Sequence, residues 1–117
     1  MTTLLLLFLA AAVTGGLMWL GKLRMDSKPG LFVAHLLLGF ACVEGAAHLL
    51  RMSDLAYIER IHQSSNIVLL LVAVILLSGF GVLGLQRNPG AANASRFVHA
   101  GAGLAAILMV LSISRQL

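Results

Sequence analysis

Polar positions are rare along this chain and fall in clusters, and the apolar runs between the clusters approach the length of a bilayer crossing. Residues 4–20, 31–50, 67–85 and 97–113 are almost wholly apolar. Roughly 20 such residues span a hydrocarbon core of about 30 Å. A backbone in lipid has to satisfy its own N–H and C=O groups, so segments of this kind are helices. The pattern predicts an all-α integral membrane protein, a four-helix antiparallel bundle forming one domain over residues 1–117.

The polar clusters carry the expected breakers. "GKLRMDSKPG" (21–30) and "QRNPGAANAS" (86–95) contain Pro-Gly steps and read as tight connections between antiparallel helices. The middle cluster, "RMSDLAYIERIHQSSN" (51–66), is different. Ser53 or Asp54 is suited to cap a helix, and Leu55, Ile58 and Ile61 follow at helical spacing, which predicts an amphipathic entry into the third spanning helix. The first apolar run has no basic residues before it and reads as a transmembrane helix rather than a secretory signal. No internal repeat is evident in the order of residue types.

Composition sharpens the class. Of 117 residues 60% are hydrophobic and 10% charged, which excludes an ordinary soluble domain. The net charge of +4 is accounted for by lysines and arginines at helix ends, so no nucleic acid partner is implied. Lys22, Arg24, Lys28, Arg87 and Arg96 lie on one side, against Arg51, Arg60 and Arg115 on the other. That excess predicts cytoplasmic first and third connections, with both termini outside, as in a bacterial inner membrane. Trp19 and Tyr57 lie where interfacial aromatics belong, though either also suits packing. The lone cysteine, Cys42, cannot form an intramolecular disulfide.

Against this background the ionisable residues inside the spans stand out, because such residues are costly in lipid and usually face a protein interior. The four histidines sort by depth. His35 and His99 each lie a short way into helices two and four from the same side, whereas His48 and His62 share a level near the opposite side. Two neutral imidazoles on different helices of a bundle are the axial pair a six-coordinate b-type haem requires. A flat macrocycle also needs small neighbours. Gly39 and Cys42 follow His35 at i+4 and i+7, and Gly103 and Ala106 follow His99 at the same offsets, so both ligands stand over a stripe of small residues. Gly79, Gly81 and Gly84 are expected to add space at that depth. Arg96, Arg51 and Arg60 lie within three residues of His99, His48 and His62, suited to haem propionates or simply to marking topology. The plainer reading of each histidine is a hydrogen bond between helices, and of each glycine, close helix packing.

Residues 31–113 thus resemble the di-haem membrane cytochromes b, in which antiparallel helices hold two haems near opposite faces through histidine pairs. The resemblance implies one or two b haems, with His35 and His99 as one axial pair and His48 and His62 as another. It also implies transmembrane electron transfer to or from a quinone or a redox partner subunit. His35 and His48 are thirteen residues apart, about 140° around the helix, so they address different neighbours, His35 helix four and His48 helix three. Glu44, one turn before His48, is expected to orient that imidazole, to carry a proton coupled to reduction, or to touch a quinone. Two other classes fit the outline. One is a small proton-coupled multidrug transporter, although helix one contains no acid. The other is an accessory, pigment-binding or oligomer-forming subunit of a larger complex.

Overall fold

The computed structural model describes residues 2–20, 29–55, 59–85 and 87–116. They form four helices, α1 (Thr2–Leu20), α2 (Pro29–Leu55), α3 (Glu59–Gly84) and α4 (Pro89–Gln116). Each contains a stretch long and apolar enough to cross a membrane: Thr2–Trp19, Gly30–Met52, Gln63–Gly84 and Pro89–Arg115. The helices pack in a ring, each against its two neighbours, in a body of 47 × 24 × 18 Å. The all-α four-helix reading therefore holds.

Two boundaries differ from the expectation. Helix α3 begins at Glu59, and the expected entry is corrected, since Ser53, Asp54 and Leu55 form the end of α2 while Ile58 lies outside the described residues. Helix α4 begins at Pro89 and absorbs most of the segment read as a connection. Asn88 explains this second difference. Its side-chain Oδ1 accepts the Ala91 amide at 3.2 Å and its carbonyl accepts the Ala92 amide at 2.9 Å. Asn88 is thus an N-cap and Pro89 occupies the first helical position, where its missing N–H costs nothing. The Asn-Pro-Gly step starts a helix here.

The buried core contains a regularity that the order of residue types hides. Leu4, Phe8, Cys42, Ala46 and Leu49 are buried together with Val68, Val72, Ala106, Val110 and Ile113. These are five pairs at one constant spacing (68 − 4, 72 − 8, 106 − 42, 110 − 46, 113 − 49), which is 64 residues. Helices α1 and α3 also end 64 residues apart, at Leu20 and Gly84. The chain is a duplicated hairpin in which α1–α2 recurs as α3–α4, the two copies related by a pseudo-two-fold axis along the bundle. This corrects the reading of a chain without a repeat. The copies differ in one segment: Pro89 follows Pro29 by 60 residues, so the second connection is four residues shorter and α4 is a helical turn longer before it reaches the repeated positions.

Small side chains share the contact surfaces with larger ones, Ala46 and Ala106 being fully buried. Other large ones, such as Leu37, Leu70 and Leu77, point outward. Outward leucines suit a bundle in lipid, where apolar side chains are tolerated on the outer surface and helices can approach closely through small residues.

Candidate functional site

His35 on α2 and His99 on α4 meet across the diagonal of the ring, where the pseudo-two-fold axis passes. Their rings lie with centroids 5.9 Å apart and planes at 66°. Each side chain is part-buried. His35 lies six residues from the start of α2, about 9 Å along the helix. The pair therefore lies toward the end of the bundle where the connections after α1 and α3 lie, at the shared depth the sequence predicted.

Each imidazole is anchored by the other helix of its own hairpin. The Nδ1 of His35 is 2.9 Å from the Ala11 carbonyl oxygen, and that of His99 is 2.7 Å from the Ile75 carbonyl oxygen. A carbonyl can only accept, so both Nδ1 atoms carry the proton and donate it. Hydroxyls from the same turns close the arrangement. Thr14 Oγ1 lies 3.0 Å from His35 Nδ1 and Ser78 Oγ lies 3.3 Å from His99 Nδ1. Both hydroxyls also donate back along their own helices, Thr14 to Ala10 or Ala11 and Ser78 to Val74 or Ile75. Ser95 Oγ donates to the Ser78 carbonyl at 2.9 Å, tying α4 to the same turn of α3. With Nδ1 protonated in a neutral ring, Nε2 bears a lone pair. The two rings are neighbours in one part-buried region of the bundle.

The glycines explain how the rings fit. A Cβ on Gly15 would come within 2.9 Å of His35 Cε1, and one on Gly79 within 3.1 Å of His99 Cε1. Both glycines exist as seats for imidazoles, in equivalent turns of the two hairpins. Gly39 and Gly103, one turn beyond the histidines, have no heavy atom within 4 Å of such a Cβ, whereas Cys42 and Ala106, one turn further along the same stripe, are packed in the core. Two of the three glycines expected to add space at the end of α3 do not. Gly79 is filled by His99 and Gly81 by Ser95, while Gly84 is open.

The remaining candidates are dispersed. Arg96 lies on α4 close to the pair and donates to Asn93 Oδ1 at 2.8 Å. His48 and Glu44 share the outward face of α2 and are exposed, as is Arg51. The expectation of a buried Glu44 is corrected, because α2 turns its opposite side toward the core through Cys42, Ala46 and Leu49. The side chains of His62 and Arg60 lie outside the described residues, as does Tyr57. Trp19 is a packing residue, edge-on to Phe97 with centroids 5.4 Å apart. Among the described residues no three His, Cys, Asp or Glu side chains gather around a common point.

The sequence points to the histidine pair and to Gly79, as space rather than as the seat of His99, but not to Thr14, Gly15, Ser78 or the carbonyls of Ala11 and Ile75. A signal was present. "TG" at 14–15 and "SG" at 78–79 each precede a histidine by the same interval, and each histidine precedes a glycine by four. No protein-family model, curated protein or solved structure matches this chain.

Proposed function

We propose that this chain binds one haem b between α2 and α4, with His35 and His99 as axial ligands, and that it carries electrons within the membrane to or from a quinone or a redox partner. The observation that carries the reading is the pair of Nδ1–H tautomers held at the pseudo-two-fold axis. Both rings offer Nε2, the arrangement second-shell carbonyls impose on metal-bound histidines. The ring centroids lie 5.9 Å apart, so His35 and His99 are the residues that would hold the haem between α2 and α4. The open positions at Gly39 and Gly103 suit a wide planar group. An ion held by protein alone ordinarily takes three or four ligands, and two imidazoles match an axial pair instead.

When bound, the haem supplies a one-electron couple. The chain's own residues do the rest. The Ala11 and Ile75 carbonyls hold the imidazoles in orientation and raise their basicity. The buried residues Cys42, Ala46, Ala106 and Val110 exclude water from the centre of the bundle. Arg96 offers a guanidinium at the same end for carboxylates. The excess of Lys and Arg toward that end favours the cytoplasm for it.

The test is spectroscopic. The purified protein should give a dithionite-reduced b-type spectrum with one haem per chain, and His35→Ala or His99→Ala should each abolish the low-spin centre in a bundle that still folds. Protein expressed with ample haem that shows no visible absorption, or both variants keeping the full haem content, refutes the proposal.

A further inference from the structure

The outward face of α2 presents one unbroken stripe: Val33, Leu37, Phe40, Glu44, His48 and Arg51, all exposed. Glu44 lies eight residues inside the end of the Gly30–Met52 span, about 12 Å along the helix. That is too deep for a short side chain to reach the interface. An acid facing lipid at such depth is strongly disfavoured, and among the described residues neither Glu44 nor His48 has a hydrogen-bond or ion-pair partner.

The duplication supplies an internal control. The same stripe on α4, 64 residues later, is Phe97, Gly101, Leu104, Leu108, Ser112 and Arg115, also exposed. Where α2 has Glu44 and His48, α4 has Leu108 and Ser112, which lipid tolerates. The two faces occupy equivalent places in the fold and differ in the feature that determines what can cover them. The face of α4 suits lipid, and that of α2 does not.

We infer that the outward face of α2 is the interface of a homodimer, in which Glu44 of each copy pairs with His48 of the partner subunit inside the membrane. The argument for a second copy is self-complementarity. One face holds an acceptor and a basic group one turn apart, so a two-fold axis along the membrane normal, beside α2, brings each Glu44 level with its counterpart and within a turn of His48 of the partner subunit. An isologous contact of this kind satisfies both pairs at once. Val33, Leu37 and Phe40 extend the contact toward the other end with apolar surface. The inference is independent of haem, since the histidine pair at the bundle axis lies on another side of α2.

The experiment is disulfide cross-linking of the full chain in native membranes, on a Cys42→Ala background. Phe40→Cys should give a homodimer on oxidation, whereas Leu104→Cys, at the equivalent position of α4, should give little. Sedimentation of the parent in density-matched detergent should give the mass of two chains. Glu44→Leu should weaken association about tenfold or more, and Glu44→Gln, which keeps hydrogen-bonding capacity, should remain within about threefold of the parent. A monomeric parent, equal cross-linking from both cysteines, or an unchanged Glu44→Leu dimer overturns the inference. So does a cross-linked product containing a different protein, which would make the face a heteromeric site. The cysteine pair and the parent's mass leave Glu44 in place, so the inference remains open to refutation even if Glu44→Leu fails to fold.

Discussion

Two adjacent glycines on α1 should respond to the same substitution with opposite signs. A Cβ on Gly15 would lie 2.9 Å from His35 Cε1 and 3.4 Å from its Nδ1, whereas one on Gly16 would have nothing within 4 Å. In both positions alanine gains helix propensity over glycine, about 1 kcal/mol at most. At Gly16 nothing opposes that gain, so Gly16→Ala should stabilise the bundle by up to about 1 kcal/mol. At Gly15 the imidazole has to retreat roughly 0.5 Å to restore ordinary contact, and it is not free to move. Its Nδ1 is held at 2.9 Å by the Ala11 carbonyl and at 3.0 Å by Thr14 Oγ1. Overpacking of this kind costs about 1–3 kcal/mol, and a weakened hydrogen bond adds about 0.5–1.5 kcal/mol. The sum exceeds the propensity gain, so Gly15→Ala should destabilise the bundle by roughly 1–3 kcal/mol. The assay is unfolding in mixed micelles, followed by circular dichroism and analysed by linear extrapolation for parent and both variants. If Gly15→Ala proves as stabilising as Gly16→Ala, the imidazole is not seated on that glycine and the anchoring geometry is wrong.

The other expectations are read more simply. Gly79→Ala should destabilise less than Gly15→Ala, since the equivalent contact to His99 is looser at 3.1 Å; unfolding midpoints of the two variants decide it. His35→Ala and His99→Ala should be equivalent in effect, each removing the low-spin haem signal, because the two residues occupy symmetric places; loss from one alone would break the symmetry argument. Asn88→Ala should cost about 1 kcal/mol through loss of the α4 cap, while Asn88→Asp should remain near the parent, both read from unfolding curves. Thr14→Val and Ser78→Ala together should retain haem yet shift its midpoint potential, since the hydroxyls touch the ligands' Nδ1 atoms; an unmoved potential would restrict them to helix packing.

Much of this molecule is legible along its sequence, because lipid imposes so strong a condition on backbone and side chains. Four apolar runs of membrane length could become little else than four helices, and short connections between them make the bundle antiparallel. The depth of each histidine is also a one-dimensional property, set by counting residues from the polar ends, so His35 and His99 could be matched before any helix was placed. What a linear reading could not supply is azimuth. Inside a membrane segment nearly every position is apolar, so the periodicity that tells inward from outward in a soluble helix is almost absent, and Glu44 was expected to face the core. Tertiary packing decided otherwise, covering Cys42, Ala46 and Leu49 and leaving Glu44 and His48 outside. The duplication was hidden for a related reason. Its core pairs, such as Leu4 with Val68, Phe8 with Val72 and Cys42 with Ala106, conserve burial and not identity, since one small or apolar side chain serves nearly as well as another at these contacts. The anchoring of the site likewise depends on backbone carbonyls, at Ala11 and Ile75, that no side-chain pattern encodes. Those carbonyls reach the imidazoles only once the two helices of each hairpin have packed together.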